Sequence, residues 1–373
     1  MPSDAAECQE KRQRVVEYLD SHGLDAVVLT RRCNFAWFTG GGLNHVGTGG
    51  EVGVASLVIS RPKRTVCVTS WIEERRVLDE ELSVLGFAVQ AYPWHDPESA
   101  ARLWRDVLGD LRAACDVRVA GLPETVGLLG GDFDCLRWSL TDKETVRIRA
   151  LARETAACLE ETCRRARRGM AEHELAGRLA GSLLERGIRV PTLLAAADDR
   201  ATRYRHPIPT TARFDRYGLV AVGAERGGLI VSCTRLFSFG PIDEDLRRRH
   251  EAVCRVDAAM IGATHPCSTL GEVFAVAQRV YAESGFPDEW RRHHQGGSTG
   301  YLPREVKAVP GDTTPVLSGQ AFAWNPSIAG TKSEDTILTD LLESEILTAT
   351  GAWPTTSYPG GGKTYPRCDI MER

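Results

Sequence analysis

The stretch YGLVAVGAERGGLIVSCTRLFSFG, residues 217–240, constrains the fold of this chain most. Two apolar runs flank the turn ERGG, a pattern that predicts a β-hairpin. Helical signals precede it. A capping box, Thr141 with Glu144, opens a long helix to about Arg168, and a second helix covers roughly 171–187, ending at Gly187. After the hairpin come helices at about 243–263 and 269–284, the latter with a capping box of Thr269 and Glu272. Strands return in GYLPREVKA, GQAFAWNPSI and EDTILTD. The order helix–helix–hairpin, helix–helix–strands suggests two related halves, although no sequence repeat accompanies it.

Ahead of this lies a different pattern. Residues 8–22 read as an amphipathic helix with Val15, Val16 and Leu19 on one side. DAVVLT (25–30), VASLVIS and RTVCVTS read as strands, the last two separated by the turn RPKR. DPESAARLWRDVLGDLRAA reads as a helix and VRVAGL as a strand. The chain is thus expected to be α/β (α+β): a small α/β domain over 1–140, a second domain over 141–350, and an irregular arm over 351–373, a tail rich in Pro, Gly and Tyr.

Composition excludes several function classes. The net charge is −4, and the basic clusters are short helix-face groups such as Arg164, Arg165, Arg167 and Arg168, too narrow for nucleic acid. No apolar run approaches the roughly 20 residues of a membrane span. The first residues, MPSDAAECQEKRQRVVEYL, lack the apolar core of a signal peptide, so a cytoplasmic protein is expected. Eleven cysteines occur without a Cys-x-x-Cys pair, which speaks against a zinc site and for reduced, mostly buried thiols; Cys233 alone falls within the region of chemical interest.

Three polar stretches interrupt the apolar patterns. RYRHPIPT places His206 before rigid Pro207, ahead of the hairpin. HHQGGSTGYLPRE gathers His293, His294, Tyr301, Arg304 and Glu305 around glycines that allow close backbone approach to a ligand. Arg304 suits a substrate carboxylate, with a surface ion pair to Glu305 or another acid as the plain alternative. AWNPSIAGTKSEDTIL puts Asn325 at the end of one strand and Glu334 at the start of another; the plain reading of Glu334 is a strand-end charge paired with Lys332.

Taken in order, these stretches resemble the creatinase, aminopeptidase P and prolidase family, which shares the pita-bread fold. NFAWFTGG is similar to the family's N-x-x-Y-L-T-G segment, and RGMAEHELAGRL to its PG-x-x-E-x-E-L turn. The resemblance covers nearly the whole chain. It implies a creatinase-type N-terminal domain followed by a pita-bread domain, in a homodimer whose first domain reaches the partner's site. Loop 40–51, GGGLNHVGTGGE, would then bring Asn44, His45 or Glu51 to a neighbouring cleft, unless it is simply a mobile surface loop.

Members that are metallopeptidases hold two divalent ions with two Asp, one His and two Glu. The matching positions here are Ala221, Ser232, Gly297, Asn325 and Glu334, so one ligand of five is kept. Oxygen-rich sites depend on ligand charge, so no metal and no cofactor is expected. A single zinc on His206, His293 or His294 with Glu334 is set aside because adjacent histidines usually point different ways. Creatinase works without metal. The resemblance makes His206 the proton shuttle, His293 a second pocket histidine and Arg304 the carboxylate clamp. The two glutamates that hold creatine's guanidinium fall near Thr234 and at Asn325, so a neutral amide or ureido group, bound by Asn325 and Ser232, fits better.

The expected activity is metal-independent hydrolysis of a C–N bond in a small carboxylate-bearing substrate. His206, His293 and Glu334 are assigned to catalysis, and Arg304, Asn325, Ser232, Tyr301 and His45 to substrate binding. Alternatives are a divergent Xaa-Pro metallopeptidase, a lyase or cyclase acting on a small metabolite, and a non-catalytic binding protein, since fold does not fix function.

Overall fold

The computed structural model describes residues 5–61, 65–341 and 343–373. The chain divides into two compact units, Met1–Arg137 and Trp138–Arg373. Among the described residues, no helix is long and apolar enough to cross a membrane.

The first unit is built on a six-stranded sheet in the order Ala88–Tyr92, Thr65–Ser70, Val52–Ser60, Ala26–Arg31, Ala113–Cys115, Gly127–Leu128. The predicted helix at its start is observed as Ala5–His22. Of the RPKR turn, residues 62–64 lie outside the described residues. The strand expected in VRVAGL instead ends at Cys115. The next residue, Asp116, turns its carboxylate back onto the N–H groups of Thr30 and Arg31, each at 2.9 Å, and that closes the ladder. NFAWFTGG forms the helix Arg32–Thr39, which stops at Gly40 in the left-handed conformation.

The second unit repeats one plan twice. The helices Asp142–Arg164 and Glu172–Leu184 precede a four-stranded sheet, and the helices Glu244–Ala263 and Leu270–Glu283 precede a five-stranded one. Both predicted capping boxes close reciprocally, at Thr141 with Glu144 and at Thr269 with Glu272. The hairpin pairs Tyr217–Arg226 with Leu229–Ser238. Its turn is Gly227 and Gly228, both at positive φ, the conformation that the tightest hairpins require. The strand Arg189–Ala197 on the hairpin's outer side was not foreseen. Pro191 within it is tolerated because this strand lies at an edge of the sheet.

Two expectations are corrected in this unit. GYLPREVKA is a strand only at Val306–Lys307. Between the strands the Glu305 carboxylate accepts the N–H groups of Tyr301 and Leu302, at 2.9 and 3.1 Å, and folds 300–305 into a turn. The tail from Gly351 is not an irregular arm. Thr355–Gly360 and Lys363–Cys368 form a hairpin, and Ile370–Glu372 adds to Leu229–Ser238 as a parallel strand. The tail's glycines serve packing: a Cβ on Gly360 would sit 2.1 Å from the Ala258 carbonyl oxygen, so the hairpin lies directly against the helix Glu244–Ala263.

The tail also completes a buried charge network. Arg367 donates to Asp335 at 2.5 Å and pairs with Asp257 at 2.7 Å, while Arg235 pairs with Asp335 at 3.0 Å and Glu160 at 3.2 Å. All five side chains are buried. Removing one member of such a network leaves an uncompensated charge. Arg367→Ala is therefore expected to lower the unfolding free energy by about 3–5 kcal/mol. Chemical denaturation should show less than about 0.5 kcal/mol for Arg165→Ala, whose ion pair with Glu161 is exposed.

Candidate functional site

Between the two sheets of the second unit lies a cleft of about 250 Å³. Ala221 and Ser232 from the hairpin face it, together with His206, His294, Arg304, Asn325, Lys332 and Glu334. Sequence separation hides this assembly: Thr234 and Glu334, 100 positions apart, are hydrogen-bonded at 2.7 Å.

Each side chain is held by a local device. The segment carrying His206 is pinned by Glu172, buried at the start of its helix. Its carboxylate accepts the N–H of Ala197 at 2.7 Å on one side and the N–H and hydroxyl of Thr210, at 2.8 and 2.7 Å, on the other. Arg205, adjacent to His206, pairs with Glu289 and donates to Ser327 at 3.1 Å. His293 and His294 are fixed by Gln295, fully buried, whose amide donates to the His293 carbonyl at 2.5 Å and accepts from the Tyr281 hydroxyl at 2.9 Å. Glycine follows because nothing larger fits. A Cβ on Gly296 would meet the Ala323 carbonyl at 2.2 Å, and one on Gly297 the Val306 carbonyl at 2.0 Å.

The structure brings His206 and His293 together, Nε2 to Nε2 at 3.0 Å. His294 does not point away from its neighbour. The two rings stack with centroids 4.5 Å apart and planes 27° apart, which corrects the expectation that adjacent histidines diverge. His293 leaves the short helix extended and its Nε2 meets His206, while the Gly296 N–H donates to His294 Nδ1 at 3.3 Å and holds that ring beside it. Burial, then the positive charge of Lys332, lowers the pKa of His206 and drives that of His293 much further down. His294 is lowered to about 4, by burial first and Arg304 next. All three rings are therefore neutral at pH 7.

Glu334 is the anionic centre. Lys332 lies 2.9 Å from one carboxylate oxygen, which also accepts the Thr234 hydroxyl at 2.7 Å; Arg304 and the Asn325 amide each lie 3.4 Å from the other oxygen. Burial pushes its carboxyl up, but Lys332 and Arg304 more than reverse this, so it stays ionised below the usual carboxylate range. Among the described residues, two cleft-lining side chains carry a buried polar atom that lacks a hydrogen-bond partner, Arg304 Nε and Asn325 Oδ1; so does Nδ1 of His293, which does not line the cleft itself but contacts His206, which does. Unpartnered buried polar atoms are uncommon and call for an explanation; grouped at one cleft, they suit a ligand.

Other candidates fall elsewhere. The Tyr301 hydroxyl donates to Glu144 at 2.5 Å, and Tyr301 does not line the cleft, so it serves the fold rather than substrate. Cys233 alternates away from Ser232 and Thr234, is fully buried, and has its thiol pKa raised by that burial, which makes it no nucleophile. His45 lies half-buried in an irregular segment of the first unit. The Asn44 side chain is spent within that unit on the backbone of Thr30 and Ala55 and is not free to complete another site. Sequence reasoning gave neither Lys332 nor His294 a role toward substrate: it paired Lys332 with Glu334 as the plain reading, which the 2.9 Å contact bears out, and weighed His294 only within the glycine-rich stretch and as a zinc ligand. For Lys332 the spacing Lys-x-Glu was the available signal, since alternate positions in an extended segment share a face.

The residues present do not fit a pair of metal ions. Ala221 offers a methyl group, Ser232 a neutral hydroxyl and Asn325 an amide, and Gly297 has no room for a side chain. The one retained acid, Glu334, is already matched to Lys332. Oxygen-ligand sites of this kind need anionic charge that this cleft does not supply.

Comparison with known proteins agrees with the architecture. Residues 146–340 match the model of metallopeptidase family M24. An uncharacterized peptidase of Staphylococcus saprophyticus is 22% identical over 350 residues, 91% of this chain and 99% of that protein. An Xaa-Pro dipeptidase of Lactobacillus delbrueckii is 23% identical over 210 residues, 54% of this chain and 57% of that protein. The structure of an Xaa-Pro dipeptidase from Bacillus anthracis superposes with a TM-score of 0.79 at 17% identity, covering 98% of this chain and all of that one. The chain belongs to metallopeptidase family M24, with the two-domain pita-bread fold of the creatinase, aminopeptidase P and prolidase group.

Proposed function

We propose that this cleft hydrolyses a C–N bond of the amide kind in a small substrate bearing a carboxylate, without the paired metal ions usual in the family. The observation that carries the reading is the trio of unpartnered buried atoms. Arg304 Nε offers a charged donor to a carboxylate, Asn325 Oδ1 an acceptor to a substrate N–H, such as the free amine of a dipeptide ending in proline or the N–H of a ureido group, and His293 Nδ1 a further polar contact. A dipeptide ending in proline has the required carboxylate and amide bond. Relatives named Xaa-Pro dipeptidase make glycyl-proline the first substrate to test, followed by N-carbamoyl and amidino amino acids.

The chemistry follows from the histidine pair. His293, kept neutral, accepts at Nε2 the proton that His206 carries on its own Nε2. His206 then presents its Nδ1 lone pair to water. As water attacks the carbonyl carbon, His206 takes the proton, and the imidazolium is steadied by His293 and by Glu334. The proton passes to the leaving nitrogen as the C–N bond breaks. Arg304 aligns the substrate through its carboxylate, which lowers the entropic cost of the encounter. Ser232 and Asn325 hold the amide.

Two expected outcomes separate these roles. His206→Ala removes a general acid–base and should lower kcat by about 10²–10⁴-fold with little change in KM. Arg304→Ala removes binding present in both ground and transition states and should chiefly raise KM, with little recovery in Arg304→Lys, which lacks the planar fork. Full activity in His206→Ala excludes the shuttle. Because the His206 pKa is lowered, the acid limb of kcat/KM should fall below pH 6.5, with activity flat above it; a limb at or above that value counts against His206 as the base.

Elemental analysis of the purified protein should find no pair of metal ions per chain; about two per chain would favour the metallopeptidase reading instead. We further propose a homodimer in which loop 40–51 of one chain borders the cleft of the other, with His45 as the contributing residue. Sedimentation as a monomer at micromolar concentration would rule this out.

A further inference from the structure

His206, His293 and His294 can be considered apart from hydrolysis. Each offers one ring nitrogen, and the three nitrogens lie within 4.8 Å of one another. Two of them, Nε2 of His206 and of His293, are 3.0 Å apart. Ligand nitrogens on one tetrahedral ion, each about 2.0–2.1 Å from it, stand roughly 3.4 Å from one another. The observed pair needs a shift of a few tenths of an ångström to accept an ion in place of the proton it shares. The rings come from two separate segments, one pinned by Glu172 and the other by Gln295. The third ring is the one that the resemblance did not account for.

We propose that His206, His293 and His294 form a site for a single imidazole-preferring transition-metal ion, zinc foremost, at the rim of the cleft, and that its occupancy silences hydrolysis: coordination through His206 Nε2 moves that ring's proton to Nδ1 and so removes the lone pair offered to water. The silencing rests on the shuttle reading above; the capture of the ion does not. The site differs from the family's two-ion arrangement in ligands and in charge: three neutral imidazoles replace carboxylates. The charged groups facing the rings are Lys332, Arg304, Lys307 and Arg205, with Glu334 the one acid among them. These cations oppose any ion held by charge alone. Magnesium and calcium, which bind through anionic oxygen, are excluded. Zinc, cobalt and nickel form strong bonds to imidazole nitrogen and are admitted.

The test uses the full chain, freed of metal by a chelator that is then removed. Titration with Co²⁺ should develop the visible absorption of nitrogen-bound cobalt, saturate at one ion per chain, and be reversed by Zn²⁺ but not by Mg²⁺. His294→Ala, or His294→Gln should the alanine variant fold poorly, should weaken binding at least about 10-fold, as loss of metal-site groups typically does. His265→Ala, a change to an exposed histidine, should have no effect. With glycyl-proline or, failing that, an N-carbamoyl amino acid as probe, Zn²⁺ should inhibit the wild type, and His294→Ala should resist that inhibition, each rate being read against the same variant's own zinc-free rate. Absence of the cobalt absorption, or binding unchanged in His294→Ala, overturns the site. Binding lost in His294→Ala, with no zinc inhibition of the wild type, supports capture and overturns the shuttle role of His206.

Discussion

The buried arginine–aspartate network is the constraint on which the cleft depends. Asp335 sits between Arg235 and Arg367, and Ser333 donates to Asp257 at 2.5 Å. Residues 333 and 335 are thus both tied into the network, and Glu334, between them, is turned the other way, toward the cleft. A buried network of this kind is weak evidence of net stability, because desolvating charges is costly. What it supplies is direction. The carboxylate that faces Lys332 can adopt one orientation, since the backbone on either side of it is anchored by groups that water does not reach.

Among the described residues, the cleft is lined by imidazoles, an amide and hydroxyls, with Lys332 and Arg304 against a single glutamate. Lys332 occupies the role that a metal ion would have as the counter-charge of Glu334. Its ammonium needs no loading from solution, and after burial its positive field is the next cause that keeps His206 and His293 unprotonated. On the proposed reading, Lys332 and Arg304 would receive an anionic ligand beside neutral bases, the combination that general-base attack on a carboxylate-bearing amide requires.

Much of this was legible in the sequence. The central hairpin, both helix pairs and the capping boxes could be read from local pattern, because capping and turn chemistry act over a few residues; the gathering of His206, Arg304, Asn325 and Glu334 around one cleft was implied only by the family resemblance. The missed features depend on distant partners. The tail looked irregular because its glycines and prolines break propensity, and its order comes from Arg367 and from backbone contact at Gly360. Tyr301 looked like a binding residue because it sits in the glycine-rich stretch; its hydroxyl goes to Glu144, 157 positions away. The convergence of His293 and His294 depends on His206, 87 positions from His293, against which both rings pack.

The tail's place in the sheet sets an order of events during synthesis. Ile370–Glu372 pairs with Leu236, Phe237 and Ser238, and the ion pair of Arg247 with Asp369 spans 122 residues. While a ribosome is still delivering the intervening chain, the hairpin strand Leu229–Ser238 has an unpaired edge and Asp335 and Asp257 lack Arg367. Such long-range pairing is slow, and an open edge invites association with other chains. The second unit can thus close only once Ile370–Glu372 has emerged, well over a hundred residues after the strand it pairs with.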